Sequence, residues 1–309
     1  MRIAVMGTGG IGGYFGGYLA QENDVTFIAR GDHLAAIHKN GLRVVSTDTD
    51  LHIEPTMATD DPRTMEPVDI ILFCVKLYDT LSAAETIAPI VGPDTRVLTL
   101  QNGVDGADQL AQKFGRENVL GGVAYIAAKI DAPGVVSYLP GMTRIVFGTM
   151  DGQSDPMMNY FLNTCEPCPF GAEIADDIQV ALWTKMVLLA TNAGISATSR
   201  LPIRVTFDDE EARGVAVAAF REAEAVARAL GVDLPDNIVD LLTQASMSFP
   251  TDMYASMYHD LVAGRRIEID GLPGTIVSLG AEHGIPTPVH STFYAMLKPY
   301  RDGAPALSD

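Results

Sequence analysis

The chain has 309 residues, 47% of them hydrophobic and 19% charged, a balance that excludes a disordered protein and, at this length, suggests two domains. Its net charge of −18 is divided evenly between residues 1–170 and 171–309, so phosphate backbones are repelled and nucleic acid is not an expected partner. On so acidic a surface an anionic ligand needs local positive charge, which makes well-placed Lys and Arg residues informative.

"RIAVMG" (Arg2–Gly7) is a short apolar run ending in glycine, and "GTGGIGGYFGGYLA" continues it into helix-like sequence. No apolar signal region with a cleavage site precedes this run, so a cytoplasmic location is expected. "DVTFIAR" (Asp24–Arg30) reads as a second strand. "VDIILFCVK" (Val68–Lys76) and "RVLTLQN" (Arg96–Asn102) are continuous apolar runs, the pattern of strands buried on both faces. Helices are expected at Thr80–Val91 and Gly106–Phe114, so strands and helices alternate as in a parallel sheet covered by helices. "VLGGVAYIAAKI", "GVVSYLP" and "TRIVFG" read as further strands, suited to antiparallel pairing.

After about residue 175 the pattern becomes all-helical, with helices over Ile178–Ser199, Asp209–Leu230, Pro235–Ser248 and from Leu272 to His283 onward. Gly231 suits a helix stop, with Pro235 just beyond it. The first of these helices is apolar but carries Gln179, Thr184, Lys185, Thr191 and Asn192, so it reads as a core helix and no membrane association is expected. The domain boundary is placed between residues 172 and 173, giving domains 1–172 and 173–309.

Gly7, Gly9 and Gly12 form G-x-G-x-x-G between a strand and a helix at the start of a βαβ unit. Glycines there let backbone N–H groups approach a pyrophosphate at the helix N-terminus, so a dinucleotide is the expected ligand. About 20 residues on, where NAD sites usually place an acid, stands Arg30. A guanidinium there can grip a 2′-phosphate, and Lys76 ends a third strand nearby in the pattern, so the pair favours NADP(H). Asp32 keeps NAD open. Asn102-Gly103 ends the next strand, where an amide can donate to and accept from a nicotinamide or its substrate.

The three cysteines are Cys74, Cys165 and Cys168, an odd number suited to a reducing compartment. "CEPC" at Cys165–Cys168 has no second CxxC and no close-spaced histidine pair, so no metal site is expected. Lys185 is the only charged residue between Ile178 and Ser199. Burying an ammonium is costly, so Lys185 either snorkels to solvent or serves a site.

With these pieces in place the chain resembles the ketopantoate reductase (2-dehydropantoate 2-reductase) family. The motifs are "GTGGIGG", "VTFIAR" followed by "HL", "VK" at Lys76, "QNG" at Asn102, "WTK" at Lys185 and "SMYHDLVAGRRIEID" from Ser256 to Asp270. The resemblance implies an α/β Rossmann domain followed by an all-α domain of the 6-phosphogluconate-dehydrogenase-like type. It implies reduction of a 2-keto acid, ketopantoate, to a 2-hydroxy acid, pantoate, with NADPH, as a step of pantothenate biosynthesis. By position, Lys185 matches the catalytic lysine, Glu268 the acid that holds the substrate hydroxyl and Ser256 a residue for the substrate carboxylate. Asn102 matches the active-site asparagine, and Arg30 and Lys76 the NADP-phosphate contacts.

Read without the resemblance, Glu268 also fits a surface ion pair with Arg265 or Arg266, and Ser256 a helix N-cap. Two positions depart from the family pattern. Leu189 stands where an asparagine usually follows the lysine by one helical turn, with Asn192 outside that register, and Pro273-Gly274 stands where Asn-Gly is common. The alternatives are a reductase of another 2-keto acid or a derived imine, and a non-catalytic NADPH-binding sensor. The expected partner is a small-molecule 2-keto acid, with the chain a monomer or homodimer.

Overall fold

A computed structural model describes residues 1–54, 56–141 and 143–305. The chain divides into two compact units, one made of Met1–Gln101 and Asp105–Ala181, the other of Asn102–Val104 and the chain from Leu182 onward.

The first unit opens with β1 (Arg2–Met6), α1 (Gly10–Leu19), β2 (Asp24–Ile28) and α2 (Gly31–Asn40). Three short strands follow, β3 (Leu42–Val45), β4 (Asp50–Ile53) and β5 (Met57–Thr59). Next come β6 (Ile70–Phe73), α3 (Thr80–Ile87), β7 (Arg96–Thr99) and α4 (Gly106–Phe114). The unit ends with β8 (Val119–Tyr125), β9 (Ala128–Ala132), β10 (Val135–Tyr138), β11 (Arg144–Thr149), α5 (Pro156–Cys165) and β12 (Gly171–Ile174). Eight strands form one sheet in the order β12-β11-β8-β7-β6-β1-β2-β5. All neighbours in it are parallel except β8 and β11, which pair antiparallel. A smaller sheet runs β4-β3-β10-β9.

The apolar runs dictate the layers. Alternate side chains of a strand leave on opposite faces. Ile3, Val5, Ile70 and Leu72 pack into the core on one face, and Ala4, Ile71 and Phe73 into the core on the other. Parallel strands covered on both faces must be apolar throughout, and the four residues of β6 are all fully buried.

The second unit is helical. α6 (Ile178–Ser199) enters it from the first, followed by α7 (Ile203–Asp208), α8 (Glu210–Ala229), α9 (Ile238–Ser248), α10 (Ser256–Val262), α11 (Pro273–His283) and α12 (Pro288–Leu297). α8 stops as its sequence predicts, with Gly231 at φ +80° just beyond it. Glu222 on α8 fastens α12 by accepting from the N–H groups of Val289 (2.8 Å) and His290 (3.0 Å) and from His290 Nδ1 (2.9 Å). Burial pushes the Glu222 carboxyl up, but the bonds from His290 and Val289 outweigh it and hold the group below the usual range.

Among the described residues α6 is the one helix long and apolar enough to cross a membrane by length and composition, yet 61% of that stretch is buried in protein. It is a core helix, as its polar interruptions indicated.

The strand runs are shorter than the sequence suggested, because the residues after each strand turn into the loops that carry the polar groups. The helical reading from Leu272 to His283 onward holds as α11 and then α12, parted by Gly284 at φ +69°. The pattern gave no sign of α2, β3 to β5, α5, α7 or β12, and marked α10 only through Ser256 as a possible N-cap.

Helical glycines in the second unit provide a test of the packing. A Cβ on Gly194 of α6 would meet the ring of Phe293, 2.7 Å from its Cγ, whereas a Cβ on Gly214 of α8 would meet nothing within 4 Å. Gly194→Ala is expected to destabilise by about 1–3 kcal/mol through overpacking. Gly214→Ala is expected to stabilise by about 0.5–1 kcal/mol through backbone entropy. Urea midpoints read both, and shifts of the same sign would contradict this packing.

Candidate active site

The first cluster lies at the carboxyl ends of three adjacent strands. In the sheet β1 sits between β6 and β2, so the segments that follow them come side by side. Gly7 follows β1, Arg30 follows β2 and Lys76 follows β6. Gly7 holds φ +92°, and a Cβ there would lie 2.8 Å from the Val75 side chain. Gly12 faces the Gly7 carbonyl so closely that a Cβ would collide with it. Gly9 differs, since a Cβ there meets nothing within 4 Å. That open side, at the N-cap of a helix with no side-chain cap, is the room a pyrophosphate needs. The three glycines therefore fit a dinucleotide in three distinct ways: backbone turn, ligand approach and helix packing.

Arg30 is extended (φ −144°, ψ 164°), and its side chain is 84% exposed. Its Nη2 donates to Asp79 Oδ2 at 3.1 Å. Asp79 closes a short 3₁₀ turn that begins after Lys76, its N–H donating to the Lys76 carbonyl at 2.9 Å. Thr80 Oγ1 donates to the Leu77 carbonyl at 2.7 Å in the same turn.

Two residues of this cluster escaped the sequence reading. Gln101, buried beside Asn102, donates from Nε2 to the Val75 carbonyl (3.1 Å) and to Thr80 Oγ1 (2.8 Å), tying the end of β7 to the Lys76 turn. His33 accepts at Nδ1 from the Gly134 N–H at 3.0 Å, tying α2 to the β9–β10 hairpin. Burial holds the His33 ring below its ordinary pKa against the opposing pull of the Thr8 carbonyl. The sequence offered one faint signal, the polar Q and H inside "QNG" and "RGDH".

The second cluster lies in the helical unit, to which Asn102, Lys185, Ser256 and Glu268 all belong. Lys185 is half-buried on α6 between the fully buried Trp183 and Met186. Burial pushes its ammonium down to about 8, with the Glu268 carboxylate pulling the other way. Glu268 is 4% exposed, in the segment that joins α10 to α11. It is thus no surface ion pair, and Arg265 turns instead to Asp260 at 2.9 Å. Ser256 is not an N-cap either, because Ala255 holds that position of α10 and Ser256 is exposed on the first turn.

The helix also revises the reading of Asn192. Residues four and seven positions apart share a helix face, so Leu189 and Asn192 both follow Lys185 on one side of α6. Asn192 spends its amide in the core, where Nδ2 donates to Ser246 Oγ at 3.3 Å. Helical side chains lean toward the N-terminus, which carries the Lys185 head away from Asn192. The half-buried Leu189 is the neighbour one turn on. Pro273 is buried at the start of α11.

Cys165 ends α5 with its thiol pushed up by burial, and Cys168 is pushed up to about 11 by burial, with Glu22 adding to it. Both are poor thiolates. Among the described residues no group of three or more His, Cys, Asp or Glu could hold a metal ion.

A mostly parallel sheet with a glycine loop suited to a dinucleotide, followed by a helical unit, is an architecture of nicotinamide-dependent oxidoreductases. Comparison with known proteins narrows it. The sequence profile of "Ketopantoate reductase PanE/ApbA" matches residues 3–152, and that of its C-terminal region matches residues 177–301. The chain is 31% identical to the 2-dehydropantoate 2-reductase of Caulobacter vibrioides, over 96% of this chain and 97% of that one. It is 31% identical to that of Halobacterium salinarum, over 98% and 100%. A crystal structure of a PanE/ApbA family ketopantoate reductase from Ralstonia eutropha superposes with a TM-score of 0.90 at 33% identity, covering 97% of this chain and 98% of the other. The chain belongs to the ketopantoate reductase family, and it is an oxidoreductase acting on CH–OH groups.

The electrostatics of Lys185 can be read directly. Its ¹³Cε resonance, assigned by its loss in Lys185→Arg, is expected to titrate near 8 rather than at the ordinary lysine value of 10.5. Glu268→Gln removes the carboxylate that raises it, so the midpoint should fall further. A midpoint that stays at the ordinary value, or rises in Glu268→Gln, would contradict the burial of this ammonium beside Glu268.

Proposed function

We propose that the protein is a cytoplasmic NADPH-dependent 2-dehydropantoate 2-reductase with Lys185 as its general acid. The observation that carries this reading is the Lys185 ammonium on an otherwise uncharged core helix, its desolvation opposed only in part by the nearby Glu268. An ionised side chain desolvated to a pKa near working pH suits proton donation far better than structure.

The reduced nicotinamide supplies a hydride when bound. Negative charge then builds on the ketone oxygen of the substrate. Lys185 stabilises that charge in a low-dielectric setting and gives its proton to the oxygen. Glu268 keeps the lysine protonated against the effect of burial, and it can accept from the substrate's terminal hydroxyl. Ser256 is assigned to the substrate carboxylate and Asn102 to the amide contacts at the end of β7. Gly7, Gly9 and Gly12 hold the pyrophosphate, and Arg30 and Lys76 the 2′-phosphate. A protein that only senses NADPH has no use for a desolvated proton donor, which disfavours the non-catalytic alternative.

Lys185→Ala is expected to lower turnover about 10²–10⁴-fold, the usual contribution of a general acid. NADPH affinity, measured by nicotinamide fluorescence, should change far less. Turnover close to wild type would return Lys185 to the role of a snorkelling lysine.

Leu189 gives a specific reason to consider a second substrate. Ketopantoate carries a carboxylate, a ketone and a hydroxyl, and a buried polar group left without one amide partner loses about 1–3 kcal/mol. A less polar 2-keto acid loses nothing against leucine and gains about 25 cal/mol per Å² of apolar contact. The wild type is expected to reduce ketopantoate, with Leu189→Asn raising kcat/KM by up to about two orders of magnitude. Absorbance assays against ketopantoate and branched-chain 2-keto acids decide between them. Good turnover of a branched-chain acid, with none of ketopantoate in either protein, would make the substrate an apolar 2-keto acid.

A further inference from the structure

The 2′-phosphate end of the cofactor site contains a carboxylate as well as cations. Asp79 lies across the carboxyl end of β1 from Arg30, and the 3.1 Å ion pair between them bridges the ends of β6 and β2. The two partners differ in freedom. Arg30 is a long side chain 84% exposed, whereas the Asp79 side chain is 29% exposed. Asp79 is also fixed by its own turn, through its N–H to the Lys76 carbonyl (2.9 Å) and through the Ser82 hydroxyl to its own carbonyl (3.0 Å). It stands at the N-cap of α3, yet its side chain makes no cap bond to that helix. The carboxylate is spent on Arg30 instead of on the helix it precedes.

In glycine-loop sheets a carboxylate near this place accepts from a ribose 2′-hydroxyl, while an arginine accommodates a 2′-phosphate. Here the two are in contact, with the acid arriving from the end of β6 rather than of β2. We propose that Asp79 is a specificity-determining residue that works against the 2′-phosphate and in favour of the 2′-hydroxyl. A 2′-phosphate must take Arg30 from Asp79 and then lie beside a like charge. A 2′-hydroxyl meets an acceptor already in position. The protein therefore takes both cofactors, with a preference for NADPH that Asp79 holds down. This inference rests on the reading of the glycine loop as a nicotinamide dinucleotide site.

Dissociation constants of NADPH and NADH, measured by nicotinamide fluorescence on wild type, Asp79→Asn and Arg30→Ala, test it without turnover. Asp79→Asn should tighten NADPH about tenfold and weaken NADH severalfold, the scale of one charged hydrogen bond exchanged. Arg30→Ala should weaken NADPH and leave NADH nearly unchanged. Adenosine 2′,5′-bisphosphate and 5′-AMP as competitors should repeat the pattern, which places the effect at the 2′ position. Asp79→Ala, followed by circular dichroism, covers any folding defect of the first variant. If wild type binds NADPH but Asp79→Asn weakens it, or changes both constants by one factor, Asp79 only supports Arg30 or the loop, and the inference fails alone. If wild type binds neither nucleotide, the dinucleotide reading fails, and this inference with it.

Discussion

A single ammonium on an otherwise uncharged core helix is the constraint on which the candidate site depends. Apart from Lys185, α6 carries no charged side chain, and its neighbours Trp183 and Met186 are buried. Moving the lysine from 10.5 to about 8 corresponds to about 3 kcal/mol against its charged form. Such a penalty persists in a stable protein only where the charge is answered, and Glu268, itself buried, answers it in part. The result is an ammonium whose pKa lies near neutral pH, the range the proposed proton donor requires.

The sheet unit meets a different constraint. Its strands are buried on both faces, so polar groups can appear only where the strands end. Gly7, Arg30 and Lys76 follow three neighbouring strands for that reason, and the order β6-β1-β2 places the two cations on either side of the glycine loop. Gln101 and His33 then brace these loops with hydrogen bonds to backbone atoms of other segments. A binding surface made of loop ends becomes rigid through such bonds rather than through its own regular structure.

Much of this was legible in the sequence. The glycine spacing, the apolar strand runs, the span of α6 and the position of α4 follow from local pattern, because glycine geometry and apolar periodicity are local properties. The short strands β3 to β5 were not legible, since three or four residues carry too little pattern to stand out. The ion pair of Arg30 with Asp79 joins residues 49 apart in the chain, and the bond of His33 to Gly134 joins residues 101 apart. No periodicity encodes such contacts, which arise only once the strand order is known. Asn192 shows the opposite case. Helical geometry puts it on the Lys185 face, and only its bond to Ser246 shows that its amide is committed to the core. Lys185 and Glu268 are separated by 83 positions in the numbering, and a family resemblance linked them where spacing could not.

In the proposed reaction a desolvated Lys185 delivers the proton. The pH dependence of kcat/KM for ketopantoate reduction at saturating NADPH tests it most directly, because kcat/KM reports the free form of the acid. A plateau at low pH and a tenfold fall per unit above a midpoint near 8 are expected, the falling limb being abolished in the residual activity of Lys185→Arg. A profile flat to the ordinary lysine range, or a limb that survives in Lys185→Arg, would contradict it.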